Sequence, residues 1–284
     1  MVGRIIKRVY LYLIFLFLYA PIVVLVAYSF NESRSRGRWG GFTLRWYAEL
    51  FRDTEVLRAL YNTLAIAVLS AVIATVIGTA AAIGIHEMKR IKKVIVMNLT
   101  YLPVINPDIV TGVSLMLLFV FTKPFTQLGL GFFTMLLAHI TFNIPYVILS
   151  VLPKLKQLDK HVYEAALDLG ATPSYALRKV VIPQIMPGIV TGFLLAFTLS
   201  IDDFVISFFT TGSGVSNIAI YVYSMARRGV NPKINALSTI MFVTVLALLL
   251  IVNKRMSKDN PKVKESVRST THHLKKRGLV KSPG

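Results

Sequence analysis

Apolar runs of membrane length alternate along this chain with short basic connectors. Stretches free of Asp, Glu, Lys and Arg cover residues 9–28, 59–85, 124–153 and 180–201, each at least 20 residues long, and 234–252, at 19. A sixth, 94–122, carries one charge, Asp108. About 20 apolar residues cross the hydrocarbon core of a bilayer as a helix, and a soluble chain has no use for several such runs. Inside lipid every backbone N–H and C=O must be satisfied within its own segment, which selects the helix. The pattern predicts an all-α integral membrane protein with six transmembrane helices.

Finer periodicities lie within the runs. Ser70, Ala74, Gly78 and Ala82 recur at one spacing in the second run, and Gly188, Gly192, Ala196 and Ser200 in the fifth. Small residues so placed let helix backbones approach closely, so these two helices are expected to form the core of the bundle or to face a partner subunit. The third run is expected to break, because Pro103 and Pro107 each remove a backbone donor and disfavour helix in the preceding residue. Asp108, at the middle of that run, is expected to cap the second half-helix or to line a pathway. Between the first two runs, Thr43 can cap a short helix with Leu44, Tyr47, Ala48 and Phe51 on one face. That helix is expected at the bilayer surface, with Trp46 and Tyr47 as interfacial anchors.

Composition agrees: 55% of the 284 residues are hydrophobic and 16% are charged. A formal net charge of +19 could point to nucleic acid, but topology accounts for it. With the N-terminus in the cytoplasm, 22 Lys and Arg fall inside and 10 outside, as the positive-inside rule requires. Both termini are then cytoplasmic, the tail after Val252 lies near anionic headgroups, and nucleic acid is no partner. The first helix is expected to be retained, since its run exceeds a signal h-region and no small-x-small cleavage site follows. With no cysteine, disulfides and thiolate metal sites are excluded.

The connector 154–187 is itself helix-patterned. Asp159 is a good N-cap, Val162, Ala165, Ala166 and Leu169 form a stripe, and Gly170 tolerates the positive φ of a helix stop. Thr172-Pro173 restarts a helix with a cap and a first-turn proline, and Pro183 and Pro187 close the segment. Two short helices at an angle are expected. Small Ala165 and Ala166 could sit deep in a groove, with Glu164 meeting a basic residue there.

Asp202 and Asp203 follow the fifth run directly, in the outer half of the fifth span, where unpaired carboxylates are costly. At about 100° per residue Asp203 falls on the small-residue ridge and Asp202 is rotated away. Two readings stand: a cation site led by Asp203, or a pair hydrogen-bonded at a helix break. Phe204, Phe208, Phe209, Tyr221 and Tyr223, close in sequence, offer ring faces to an alkylammonium. His139 is expected to hydrogen-bond across helices, with Asn143 as a neighbour.

Glu164-Ala165-Ala166, then Gly170, then Val180-Val181-Ile182-Pro183, resembles the EAA loop of ABC-importer permeases, with Val and Ile standing for the Ile and Leu of its I-x-L-P end. Ser200-Ile201-Asp202-Asp203-Phe204-Val205-Ile206-Ser207 is similar to the S-x-DD-x-V-x-S stretch of the spermidine/putrescine importer group. FTLRWYAELF at 42–51, Asn62-Thr63-Leu64, PDIVTG at 107–112 and NPKINALST at 231–239 agree. The resemblance runs over about residues 5–255 and is greatest to the C-type inner-membrane subunit.

It implies a type I ABC importer permease fold in the bacterial cytoplasmic (inner) membrane. Residues 1–58 would hold the first helix and external loop, 59–253 the core permease domain, and 254–284 the basic tail. Glu164, Ala165, Ala166, Gly170 and Pro183 would couple to an ABC ATPase dimer, and Asp203, Asp202 and Asp108 would be candidates for the substrate pathway. A second permease subunit, an extracytoplasmic binding protein, the lipid bilayer and a polyamine substrate are the implied partners. No cofactor or metal is implied. No Gly-Lys dipeptide occurs, so there is no Walker motif, ATP hydrolysis falls to a partner chain, and this chain is not an enzyme. The alternatives are a permease of the same type for an opine, thiamine, iron(III) or phosphonate, or an ion-coupled secondary transporter.

Overall fold

The structure is a computed structural model describing residues 2–33, 38–127, 129–212, 214–228 and 232–258. Most of the basic tail, from 259 on, lies outside the described residues, as do 34–37 of the loop after the first helix and 231 of the 231–239 stretch. The chain forms two compact units, Met1–Val243 and Thr244–Gly284. In the second, the described residues are helical.

The first half comprises α1 (Val2–Ser29), α2 (Arg45–Arg52), α3 (Thr54–Glu87), α4 (Arg90–Ile105), α5 (Asp108–Thr126) and α6 (Phe132–Lys156). The second comprises α7 (Lys160–Asp168), α8 (Pro173–Ala176), a π turn (Leu177–Val181), α9 (Ile182–Asp202), α10 (Val205–Thr210), α11 (Ile218–Arg228) and α12 (Pro232–Lys258). Among the described residues five helices are long and apolar enough to cross a membrane: Arg8–Ser29, α3, α5, α6 and the continuous Pro173–Asp202. In α12 the shorter apolar stretch Pro232–Ala247 covers part of the sixth expected run.

α3, α6 and α9 form the core. Both small-residue ridges are buried along their whole length, and each closes on α6. A Cβ at Gly78 would stand 2.7 Å from Val147 Cβ, and one at Gly192 3.2 Å from Val147 Cα. Helix backbones meet this closely in lipid only where side chains are minimal. At mid-depth the contact turns polar: Asn143 Nδ2 donates to Ser200 Oγ at 2.7 Å.

The third run breaks at its prolines, but differently from expectation. Pro103 remains inside α4, the gap falls at Asn106-Pro107, and α5 alone is long enough to span. Asp108 therefore begins a span instead of sitting at its middle. It makes no cap bond, because it occupies the first helical position and Pro107 the cap. The fourth run is divided too, its first residues finishing α5 before α6 starts at Phe132.

The face expected for α2 is the wrong one. Leu44, Ala48 and Phe51 are exposed, while Trp46 and Leu50 are buried. The Trp46 indole N–H donates to Asn31 O at 2.7 Å, and both side chains pack with Val56, Ala59, Ile218 and Tyr221. A satisfied N–H is what lets a tryptophan go under instead of anchoring at an interface.

Candidate functional site

The connector between α6 and α9 follows its local signals at first. Asp159 Oδ1 accepts from His161 N at 3.0 Å to start α7. The helix ends on Gly170 with φ +87°, Ala171 N closing back on Ala166 O at 3.1 Å. Only glycine takes that φ without strain. Tyr163 packs toward the core, while Val162 and Ala165 are exposed and Leu169 is 89% exposed. Glu164 is exposed beside His161 Nδ1 at 3.6 Å, and Ala166 is half-buried. So α7 turns an apolar stripe outward that nothing in the described chain covers.

The second expected short helix is not separate. Thr172 does cap a new start, accepting from Tyr175 N at 3.4 Å, but α8, the π turn and α9 run on as one helix. Ile182 N bonds Leu177 O across the π turn. Its wider coil moves the preceding carbonyls off the Pro183 ring, so proline is accommodated where a break was expected. Pro183 and Pro187 thus lie within the span. A cavity of about 650 Å³ opens between α7 and the ends of α3 and α6, lined by His86, Glu87, Lys93, Tyr163 and Glu164.

Toward the other end of α3 lies an elbow. α9 stops at Asp202, and Asp203 is extended (φ −67°, ψ 122°). Asp203 therefore does not continue the ridge of an unbroken helix, as its periodicity implied. Its carboxylate accepts from Ile206 N at 3.2 Å and Ser207 N at 2.7 Å, the free donors of α10. His139 Nε2 is 3.5 Å away, and the Asp203 side chain is only 7% exposed. Of the two sequence readings, the helix-break geometry describes Asp203. Asp202 is exposed, and so is Asp108. Gly112 brings α5 against α10, a Cβ there standing 3.1 Å from Phe209.

Polar residues to which sequence reasoning gave no structural role hold the elbow. Asn217 Nδ2 donates to Ser207 Oγ at 2.8 Å and to Asp203 O at 3.3 Å, while its Oδ1 accepts from Ile220 N at 2.9 Å. Thr63 Oγ1 accepts from Ile218 N at 2.9 Å, and Asn62 Nδ2 donates to Ser216 O at 2.9 Å. The one available signal was Asn62-Thr63, two polar residues inside an apolar run. His139 does bond across helices, to Ser207 Oγ at 2.9 Å, but Asn143 turns to Ser70 and Ser200 instead.

Among the aromatics, Phe204 lies 4.7 Å from Tyr223 and 5.4 Å from Phe208 between ring centroids, with Arg227 Cζ 5.9 Å over the Tyr223 ring. Tyr221 belongs elsewhere: its hydroxyl reaches Asp53 Oδ2 at 3.4 Å, and Asp53 also pairs with Lys233. Burial pushes the Asp53 carboxyl up, but Lys233 and the N–H groups of Val56 and Glu55 outweigh it and hold the value below the ordinary 3.8. Burial, then the Asp53 charge, raise Tyr221 to about 12. A second cavity, of about 770 Å³, adjoins this clasp and is lined by Glu55, Arg58, Ser216, Tyr221, Ser224 and Arg228. Among the described residues no cluster of His, Asp and Glu could hold a metal ion.

Residues 74–256 match the family described as "Binding-protein-dependent transport system inner membrane component". The chain is 38% identical over 224 residues to the spermidine/putrescine transport system permease protein PotC of Escherichia coli, covering 79% of this chain and 83% of that one. It is 42% identical over 211 residues to the putrescine transport system permease protein PotI of Escherichia coli, covering 73% and 75%. In fold it resembles a chain of a bacterial ABC transporter that imports the acidic polysaccharide alginate, at a TM-score of 0.66 and 19% identity, over 91% of this chain and 99% of that one. A chain of the MetNI methionine ABC transporter in an inward-facing form gives 0.56 at 17%, over 76% and 99%.

Proposed function

This chain belongs to the family of inner-membrane components of binding-protein-dependent transport systems, and we propose that it forms half of the path by which a bacterial ATP-driven importer takes up polyamines. The observation that carries the substrate class is the elbow. It carries exposed Asp202 two residues before Phe204, whose ring packs with Phe208 and Tyr223, and a carboxylate and ring faces on one elbow suit an alkylammonium entering from water. Buried Asp203 adds negative charge behind it, and Asp108 offers a third carboxylate on the helix packed against α10. The relatives transporting spermidine and putrescine by name support the same class.

The remaining parts follow from faces left open. The outward stripe of α7, with Glu164 and the Gly170 stop, docks into a separate ABC ATPase dimer in the cytoplasm, which hydrolyses the ATP. α1, with none of its apolar window buried in this chain, meets lipid and a second permease subunit. An extracytoplasmic binding protein delivers substrate to the opposite side, near the elbow.

Reconstituting this chain with its ATPase, partner permease and binding protein in proteoliposomes tests the reading. ATP-dependent uptake of labelled spermidine or putrescine is expected, and none by this chain alone under a proton or sodium gradient. Uptake of only a non-polyamine moves the assignment to another substrate, and gradient-driven uptake by the isolated chain ends it.

A further inference from the structure

The mechanism above leaves one buried titratable group unused. His139 projects from the first third of α6 and is 1% exposed. Its Nε2 points at Ser207 Oγ and at Asp203 Oδ2, at 2.9 and 3.5 Å. Its Nδ1 is buried with no hydrogen-bond partner among the described residues. That asymmetry favours one protonation state. An imidazolium, or the Nδ1–H tautomer, would bury an N–H donor with no acceptor, whereas the neutral Nε2–H tautomer leaves bare only an acceptor lone pair. The Nε2–H then faces the carboxylate and the serine oxygen.

Around that N–H the three pieces of the elbow meet. Asp203 is the joint itself, Ser207 lies in the first turn of α10, and Asn217 caps α11 while bonding both. No proline or glycine lies between residues 193 and 211, and the local stop at Asp202 is the Asp203 carboxylate capping α10. α6 supplies the outside hold at two points: His139 at the joint, and Thr134 Oγ1, donating to Thr210 O at 2.8 Å, at the far end of α10.

We infer that His139 is a positioning residue for transport: its neutral Nε2–H ties α6 to Ser207 and Asp203, keeps the elbow bent, and so places Asp202 and Phe204 where substrate meets them. The inference rests on the elbow being part of the transport path, but not on polyamine as the substrate. Without the N–H, Asp203 and Ser207 lose their one partner from α6, and α9 is free to run on through Asp203.

Uptake kinetics of the reconstituted complex test this, with every variant referred to the wild-type complex on the same substrate. His139→Gln places an amide N–H near the position of Nε2, and His139→Leu keeps bulk without a donor. The Gln variant should keep the wild-type KM within about twofold, while the Leu variant raises it about tenfold or more, the cost of losing a buried hydrogen bond and leaving its partner unsatisfied. A role confined to stability would lower the amount of complex, hence Vmax, and leave KM in place. Ser207→Ala removes the hydroxyl with little change of volume and should shift KM in the same direction, which decides the matter if the Leu variant does not assemble. An unchanged KM in either His139→Leu or Ser207→Ala overturns the inference, as does loss of uptake in His139→Gln. If the wild-type complex moves some other substrate, the substrate class falls while this comparison stands.

Discussion

Ser70 of α3 and Ser200 of α9 face each other with their hydroxyl oxygens 3.0 Å apart, and Asn143 of α6 bonds both. One residue from each core helix thus meets at a single polar node, on ridges whose other members are glycine and alanine. The donors of the node are met within it, the Asn143 amide N–H groups and the serine hydroxyls bonding one another, and the close approach exists because nothing larger intervenes. A methyl group tests that directly. Gly78→Ala should lower the thermal midpoint of the solubilised protein, since its Cβ would stand 2.7 Å from Val147 Cβ and overpacking costs about 1–3 kcal/mol. Gly84→Ala, on the same helix with open space around it, should leave the midpoint unchanged or higher by the about 1 kcal/mol that alanine gains over glycine in a helix. Equal destabilisation by both would mean the ridge is not a tight contact.

The two aspartates of the elbow should separate by assay. Asp203→Ala removes the acceptor for two backbone donors, and a hydrogen bond to a charged group contributes about 1.5–3 kcal/mol, so thermal stability should fall with uptake. Asp202→Asn, at an exposed position, should leave stability intact and lower uptake about tenfold, the effect of about 1.4 kcal/mol at the limiting step. Midpoints and labelled-polyamine uptake on the same preparations decide. Wild-type uptake in Asp202→Asn would remove that residue from the path.

Gly170→Asp should insert normally and fail to couple. Its φ of +87° strains any side chain there, and α7 would no longer end where its outward stripe can be received. Co-purification of the ATPase with the variant is the measurement, and a full complement of bound ATPase together with normal uptake would refute the docking role.

The clasp of Asp53 with Lys233 and Tyr221 predicts a pH dependence with a definite sign. The Asp53 carboxyl is held below 3.8 in the folded chain, so its contribution is complete above the unfolded value and is lost as pH falls through the lowered one. Tyr221, raised from 10.0 to about 12, contributes fully below pH 10 and loses that contribution toward pH 12. Thermal midpoints of wild type and Lys233→Met should differ at neutral pH and converge in acid below the Asp53 value. A difference that persists undiminished at that acidity would show that Lys233 acts by packing alone.

What the sequence revealed and what it hid divide along one line. The ridges on α3 and α9 were legible because spacing within one helix carries the information. So was α7, whose start and stop are written in Asp159 and Gly170. The elbow was legible only as one of two readings of Asp202-Asp203. Its bend is held from His139 and Asn217, 64 and 14 residues from Asp203, and no proline or glycine decides between the two. The buried face of α2 was hidden because apolar residues occupy both sides of it, and only the Trp46 bond to Asn31 chooses between them. Pro183 misled in the opposite sense, its breaking tendency being absorbed by a π turn that has no signature of its own.

The unbroken helix from Pro173 to Asp202 has a mechanical consequence. Its 30 residues make a rod of about 45 Å at 1.5 Å per residue. The rod bears on α6 at Gly188 and Gly192, where the contacts are tightest. That bearing is a fulcrum centred midway between them, with arms of about 25 Å toward Pro173 and about 18 Å toward Asp202. A rocking of about 10° would then swing the Pro173 end by about 4.4 Å and the Asp202 end by about 3.1 Å in the opposite direction. Displacement beside α7 thus arrives at the elbow reversed in sense and shortened by about three-tenths, with no chain of side chains needed to carry it.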